Sequence, residues 1–152
     1  MIVRVATIED SHEVFLWRND ETTRAMAFCN EKISWETHQA WFTTAIRSRR
    51  RILLVGVQDL LKVGICRFDL SEKYDEAEVS INLDPKARGK NLSAKFLAAA
   101  IAQFKTTFPT IELLATIRNK NKPSVKCFTK CGFKISSVEK YYSYFQIAFS
   151  CT

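Results

Sequence analysis

Residues 79 to 94 read VSINLDPKARGKNLSA, and this stretch carries the main structural signal of the chain. Apolar Val79, Ile81 and Leu83 alternate with polar residues. A period of two predicts a strand with one buried face and one face that meets polar groups. Asp84-Pro85 ends the strand, and a basic loop follows it.

A helix rich in Ala, Leu and Lys is predicted after this loop, from Arg88 to about Phe104. The first turn of a helix has unpaired N–H groups and a partial positive charge, and both favour a bound phosphate. Gly89 permits close approach of the backbone to a ligand, and Lys86 and Lys90 add full charges. The alternative is an ordinary turn with solvated cations.

The remaining periodicities predict alternating helices and strands around one central sheet, a mixed α/β class. Strands are predicted at Met1–Ala6, Ile52–Val57, Val63–Leu70, Ala77–Leu83, Ile111–Ile117, Phe133–Val138 and Tyr142–Phe149. Further helices are predicted at Glu13–Trp17, at Glu21–Ala27, after the N-cap residue Ser34, and at Asn121–Lys130 with Gly132 as its stop.

The strand, loop and helix around residues 79–94 resemble the acetyl-CoA signature of the GNAT acyltransferase superfamily, Pro-x-x-Arg-Gly-x-Gly-x-Gly/Ala. Pro85, Arg88 and Gly89 match it. Asn91 and Ser93 stand where the family has glycine and then glycine or alanine. Asparagine tolerates a left-handed backbone better than most residues, and serine is small. The resemblance implies that the loop and helix start wrap the diphosphate of coenzyme A.

A second stretch resembles the family's other signature, Asn-x-x-Ser/Ala-x-x-x-Tyr-x-x-x-Gly-Phe. Asn121, Ser124, Gly132 and Phe133 match in register, whereas Phe128 replaces the tyrosine. The resemblance implies one GNAT domain over residues 1–152. It has about seven mostly antiparallel strands, about four helices, and a V-shaped splay between two central parallel strands that admits the pantetheine arm. The implied acetyl-CoA contacts are Leu83, Arg88, Gly89, Lys90, Asn91, Leu92, Ser93, Asn121, Ser124 and Phe128.

A narrower resemblance lies upstream, in the triplet Trp17-Arg18-Asn19 and in the pair His38 and Trp41. Both are similar to the GNAT branch that acetylates nucleotide-linked amino sugars in the pseudaminic-acid pathway. The implied acceptor is therefore an amine on a nucleotide sugar; amino-terminal and other small-amine acetyltransferases have similar openings. The residues expected to contact the acceptor are Trp17, Arg18, His38, Ser80 and Asn82. Core packing is the alternative for the tryptophans and for His38.

Glu78 is the expected general base, because an amine must lose a proton to attack a thioester. The alternatives are a solvated carboxylate or a pair with Arg67. Backbone N–H groups near Asn82 and Leu83 are expected to stabilise the oxyanion. Phe128 has no proton for the leaving thiolate, so Ser124 is the expected relay. The other candidate donors are Tyr141, Tyr142 and Tyr144.

The 152 residues include 23 basic and 16 acidic side chains, a net charge of +7, so an anionic partner is expected. The basic run from Arg47 to Arg51 is either a solvated helix end or part of an anion-binding surface. No nucleic-acid motif and no membrane span is recognised. Five irregularly spaced cysteines predict reduced thiols in the cytoplasm, with no metal. A homodimer is left open, and a non-catalytic acyl-CoA-binding domain is the remaining alternative.

Overall fold

The computed structural model describes residues 1–147. Seven strands and five α-helices are present in these residues, together with short 3-10 turns. In chain order they are β1 (Ile2–Val5), α1 (Ser11–Asn19), α2 (Glu21–Met26), α3 (Trp35–Ala45), β2 (Arg51–Gln58), β3 (Leu61–Leu70), β4 (Glu76–Leu83), α4 (Leu92–Thr107), β5 (Glu112–Arg118), α5 (Lys122–Lys130), β6 (Lys134–Val138) and β7 (Tyr142–Ile147).

The strands form one sheet in the order β1-β2-β3-β4-β5-β7-β6, and every neighbouring pair is antiparallel except β4 and β5. Helices cover both faces. On one face α4 buries an apolar side, and Phe104 stacks on Phe68 of β3 with ring centroids 4.2 Å apart. On the other face α1 and α3 pack on β2 and β3 through a smaller core that includes Phe42. The predicted α/β class is confirmed.

The parallel pair of strands opens into a fork. Strands β4 and β5 are paired only from Glu76 opposite Glu112 to Glu78 opposite Leu114. Beyond that point β4 continues to Leu83 and pairs with β3 alone. The predicted splay is therefore confirmed, and it begins immediately after Glu78.

Helix α4 begins at Leu92, four residues later than the sequence predicted. The cause lies in the loop before it, where Gly89 (φ 72°) and Asn91 (φ 56°) adopt left-handed backbone angles. A right-handed helix cannot pass through such angles. The predicted caps at Ser34 and Asn121 are confirmed, since each side chain accepts a backbone N–H of its helix.

The last strand was predicted from Tyr142 to Phe149 and is confirmed as far as Ile147; residues 148 and 149 lie outside the described residues. The five helices in the described residues correspond to the five that the residue patterns predicted, whereas the family resemblance implied about four. Within residues 1–147, no helix is long and apolar enough to cross a membrane.

A buried carboxylate fixes the first strand to the sheet and to α1. Asp10 is only 1% exposed and accepts two hydrogen bonds of 2.8 Å from the guanidinium of Arg4. It also accepts the backbone N–H of Thr7 at 2.8 Å and pairs with Lys62 of β3 at 2.9 Å. Burial alone would raise the pKa of Asp10, but these four contacts hold the pKa far below its usual value.

Candidate active site

The loop before α4 presents a row of free backbone amides. The amides of Lys86, Ala87 and Arg88 are used within the preceding turn. In contrast, no amide from Gly89 to Ala94 donates a hydrogen bond to any atom of residues 1–147. A Cβ built on Gly89 would meet nothing within 4 Å, so the backbone at Gly89 faces open space. These amides are available to an anionic group such as a phosphate.

Asn91 holds the strained conformation of this loop, at the position where the family has glycine. We expect Asn91→Val to weaken acetyl-CoA binding about tenfold, because a left-handed backbone costs an L-residue about 1–2 kcal/mol and a β-branched side chain tolerates it worst. Asn91→Gly, which meets no such penalty, is the matched control and is expected to keep the affinity. Titration calorimetry with acetyl-CoA measures both, and equal affinities would show that the loop conformation is irrelevant to binding.

The side chain of Arg88 is bonded to α2. Its guanidinium pairs with Asp20, the N-cap of α2, at 2.7 Å and donates to Thr23 Oγ1 at 2.7 Å. Thr23 in turn donates to Asn82 Oδ1 at 3.1 Å. Burial opposes ionisation of Asp20, but hydrogen bonds from Thr23 and Arg88 prevail and lower its pKa. Arg88, expected to contact the cofactor, therefore fastens α2 to the loop before α4.

A second arginine holds the segment after α2 over the end of β5. Arg118 donates to the carbonyl oxygens of Ala25 and Ala27 at 3.2 and 3.1 Å. Phe28 packs on Tyr142 of β7 with centroids 5.2 Å apart. Together with the Arg88 contacts, this arrangement places α2 and the following segment across the ends of both forked strands.

The triplet Trp17-Arg18-Asn19 has a mainly structural role. Trp17 is 5% exposed in the core beneath α1. Arg18 donates to the carbonyl of Cys29 at 3.2 Å. Asn19 exchanges two hydrogen bonds with the backbone of Ile33, at 2.9 and 3.0 Å. The expected substrate contact of Trp17 is therefore corrected, because a planar side chain inside the core cannot stack on a ligand.

His38 is likewise a core residue. It is 1% exposed, lies among aromatic rings of α1 and α3, and places Nε2 2.8 Å from the carbonyl oxygen of Ser11. Burial lowers its pKa more than this hydrogen bond raises it, so the ring is neutral near pH 7. The expected contact of His38 with the acceptor is corrected for the same reason as that of Trp17.

Backbone hydrogen bonds show which groups of β4 point into the fork. The amide of Asp84 bonds to Val63 of β3 at 2.9 Å. Antiparallel pairing alternates, so even-numbered residues of β4 bond to β3 and odd-numbered ones point the other way. Ile81 and Leu83 therefore direct their N–H and C=O groups into the fork. The expected oxyanion role of the Asn82 amide is corrected, whereas that of Leu83 fits this geometry.

The same alternation applies across the fork, on β5. The amide of Asn119 bonds to the carbonyl of Tyr141 at 2.9 Å, so odd-numbered residues of β5 pair with β7. Thr116 therefore directs its backbone groups toward β4, which has already diverged. At the end of β5 the carbonyl of Arg118 instead accepts the amide of Asn121 at 2.8 Å. The fork is thus bordered by unpaired backbone groups of Ile81 and Leu83 on one side and of Thr116 on the other, which an extended ligand arm with amide groups can use.

Glu78 stands at the base of the fork. Its side chain is exposed and forms no hydrogen bond or ion pair with any residue of 1–147. Its possible partner Arg67 pairs instead with Asp69, at 2.9 Å. Ser80 shares the face of Glu78, and Tyr144 of β7 lies close enough for Glu78 to affect its charge. Partial burial and nearby carboxylates raise the pKa of Tyr144, so this phenol is protonated near neutral pH.

The second signature forms α5, beside the fork. Asn121 accepts the amide of Ser124 at 3.2 Å, which caps the helix. Phe128 is 2% exposed and meets Phe133 edge to face at 5.0 Å. The expected contact of Phe128 with the cofactor is corrected, because its ring fills the core. Among residues 1–147, no three His, Cys, Asp or Glu side chains cluster as a metal site requires.

The sequence reasoning missed three residues that shape this region: Asp20, Thr23 and Arg118. For Asp20, the sequence holds a local signal. The signal was the Asp20-x-x-Thr23 spacing, since an N-cap aspartate accepts the amide three residues later, here at 3.0 Å. The contacts of Arg118 join distant segments and leave no local pattern.

A forked parallel strand pair, a row of free amides at a helix start and an exposed carboxylate between them define an acyltransferase that binds an acyl-CoA. The chain belongs to the GNAT acetyltransferase family, because the sequence model of the acetyltransferase (GNAT) domain matches residues 1–134. It is accordingly an acetyl-CoA-dependent N-acetyltransferase. No curated protein is similar enough in sequence to match it.

Solved structures share this fold at low sequence identity. The spermidine N-acetyltransferase of Vibrio cholerae, in complex with CoA and spermine, is 15% identical, with a TM-score of 0.86 over 97% of this chain and 94% of that one. The protein yncA of Salmonella typhimurium, with acetyl-CoA, is 17% identical, with a TM-score of 0.82 over 100% of this chain and 95% of that one. The aminoglycoside acetyltransferase AAC(6')-Ib, with coenzyme A, is 12% identical, with a TM-score of 0.81 over 96% of this chain and 93% of that one.

Proposed function

We propose that this enzyme acetylates the primary amine of a nucleotide-linked amino sugar by direct attack in a ternary complex. The observation that carries the reaction is the position of Glu78, exposed and unpaired at the point where β4 and β5 separate. The acceptor class is supported by the net charge of +7, which favours an anionic acceptor.

The donor is bound by the free amides of residues 89–94, with Lys86 and Lys90 adding positive charge. Acetyl-CoA supplies the activated thioester. Backbone groups of Ile81 and Leu83 border the extended arm, and the Leu83 amide supports the oxyanion. The Asn121 and Ser124 side chains lie at the start of α5, beside this path.

The acceptor amine is deprotonated by Glu78, directly or through a water molecule. Ser80, on the same strand face, orients the amine. Ser124 and Tyr144 are the candidate donors to the leaving thiolate. A thiol has an ordinary pKa of about 8.5, so its anion leaves with little assistance, and the replacement of the family tyrosine by Phe128 is tolerated.

Thermal unfolding in the presence of acetyl-CoA tests the donor half of this proposal. At 100 times Kd the ligand is expected to stabilise the fold by about 2.7 kcal/mol. The absence of any shift at saturating acetyl-CoA would contradict the assignment of residues 89–94 as the diphosphate site.

Thiol release over a panel of amines tests the acceptor half. A UDP-linked amino sugar is expected to be turned over, and spermidine, an aminoglycoside and a peptide amino terminus to be poor acceptors. If spermidine, the aminoglycoside or the peptide is turned over faster than the UDP-linked amino sugar, the proposed acceptor class is wrong. Cofactor binding without turnover of any amine would favour a non-catalytic acyl-CoA-binding domain, the alternative that the Phe128 substitution supports.

A further inference from the structure

Two arginines share one carboxylate on the sheet face that carries Glu78. Asp69 of β3 pairs through one oxygen with Arg51 Nε, at 2.5 Å, and through the other with Arg67 Nε, at 2.9 Å. One negative charge is thus divided between two guanidinium groups. The group as a whole keeps one net positive charge, which repels an incoming ammonium.

Both guanidinium groups retain their outer nitrogens for another partner. Arg51 Nε donates a hydrogen bond to Asp69, whereas Arg67 Nε forms an ion pair with Asp69 without hydrogen-bond geometry. Among residues 1–147, neither guanidinium has a hydrogen-bond or ion-pair partner other than Asp69. The side chains are 33% exposed for Arg51 and 39% for Arg67. The Arg51 guanidinium also lies 5.7 Å from the ring centroid of Trp41, which fixes its orientation.

The strand register brings this arginine pair next to the reaction centre. Arg51 is opposite Asp69, and Asp69 is opposite Glu78, so the three form one row across β2, β3 and β4. Arg67 is opposite Ser80, in the next row on the same face. Directly opposite side chains have Cβ atoms about 4.5–5.5 Å apart, and diagonal ones are about 7–8 Å apart. A ligand that is held by the arginines therefore reaches Glu78 within a few ångströms.

We infer that Arg51 and Arg67 form an anion subsite that binds a phosphate or carboxylate group of the acceptor while its amine lies at Glu78. Guanidinium groups bind both anions through paired hydrogen bonds, which gives orientation as well as attraction. The subsite rests on the proposed acetyl transfer at Glu78 and narrows the acceptor to amines that carry an anionic group. It disfavours polyamines, because Arg51, Arg67 and Asp69 together carry one net positive charge.

The test compares two acceptors that differ only in the anionic group: a UDP-linked amino sugar and the methyl glycoside of the same amino sugar. In Arg67→Met and Arg51→Met, the ratio of kcat/KM for the UDP-linked acceptor to that for the glycoside is expected to fall about 10- to 100-fold, the effect of losing a charge-assisted hydrogen bond. Arg49→Met removes an exposed cation just before β2 and is the matched control, with an unchanged ratio.

An unchanged ratio in both variants would overturn the subsite, and so would an equal loss for the two acceptors. An amino acid acceptor in the same assay distinguishes a carboxylate from a phosphate as the bound group. If no amine is acetylated although acetyl-CoA binds, the proposed function fails, and the subsite fails with it.

Inhibition of the unmodified enzyme by UDP gives a readout that does not depend on folding of the variants. UDP is expected to compete with the methyl glycoside acceptor and not with acetyl-CoA. Competition with acetyl-CoA alone would place the phosphates on the amides of residues 89–94 and would overturn the subsite.

Discussion

Glu78→Gln is expected to lower kcat about 10²- to 10⁴-fold, because the amide keeps the size of the side chain and removes its ability to accept a proton. The affinity for acetyl-CoA is expected to be unchanged, since Glu78 lies at the base of the fork and the free amides lie beyond its open end. Steady-state thiol release gives kcat, and calorimetry gives the affinity.

Glu76→Gln is the matched control for this variant. Glu76 is also exposed, and it lies two residues earlier on the same face of β4, where the strand is still paired with β5. Its replacement is expected to leave kcat within about twofold of the unmodified enzyme, because surface substitutions have small effects. Equal rates for the Glu78 variant and its control would remove Glu78 from the mechanism.

The largest expected effect on stability is that of Asp10→Asn, which should lower the free energy of unfolding by about 3 kcal/mol. Removal of one partner from a buried ion pair typically costs about 3–5 kcal/mol, and the partial exposure of Arg4 and Lys62 places this group at the lower end. Urea unfolding measures the change. Glu9→Gln, at an exposed neighbouring position, serves as the control and should change stability by less than about 0.5 kcal/mol.

Asp10 also predicts how stability depends on pH. Its pKa in the folded chain lies below its usual value of 3.8, so the unfolded state binds more protons as the pH falls. The contribution of Asp10 is therefore complete above about pH 5 and is lost progressively as the pH falls below 3.8. The difference in stability between the unmodified protein and Asp10→Asn should shrink over this acidic range. A difference that is constant with pH would show that the Asp10 charge is unimportant.

The sequence was sufficient for the strand before the fork, because alternation over residues 79–83 is a local signal. It was insufficient for the start of α4, because the composition favours helix from Arg88 onward. The two left-handed residues Gly89 and Asn91 override that preference.

Site residues were harder to predict, because residue type does not determine exposure. Trp17, His38 and Phe128 have side chains that suit ligand contact, and the structure buries all three. The role of Arg88 depended on Thr23, 65 residues away in sequence, and such a contact leaves no trace in a local motif. Glu78 is likewise unpaired because Arg67 forms its ion pair with Asp69, and the sequence does not show which of the two carboxylates Arg67 binds.

The fork also gives the sheet an interior edge. Strands at the margin of a sheet expose unpaired N–H and C=O groups, and such groups readily acquire another extended segment. Here the edge lies between β4 and β5, where the amides of an extended ligand arm can hydrogen-bond as an additional strand would. Donor binding thereby bridges β4 and β5 by hydrogen bonds. The strands on the two sides of the fork, β1–β4 and β5–β7, should therefore become more rigid together once the donor is bound.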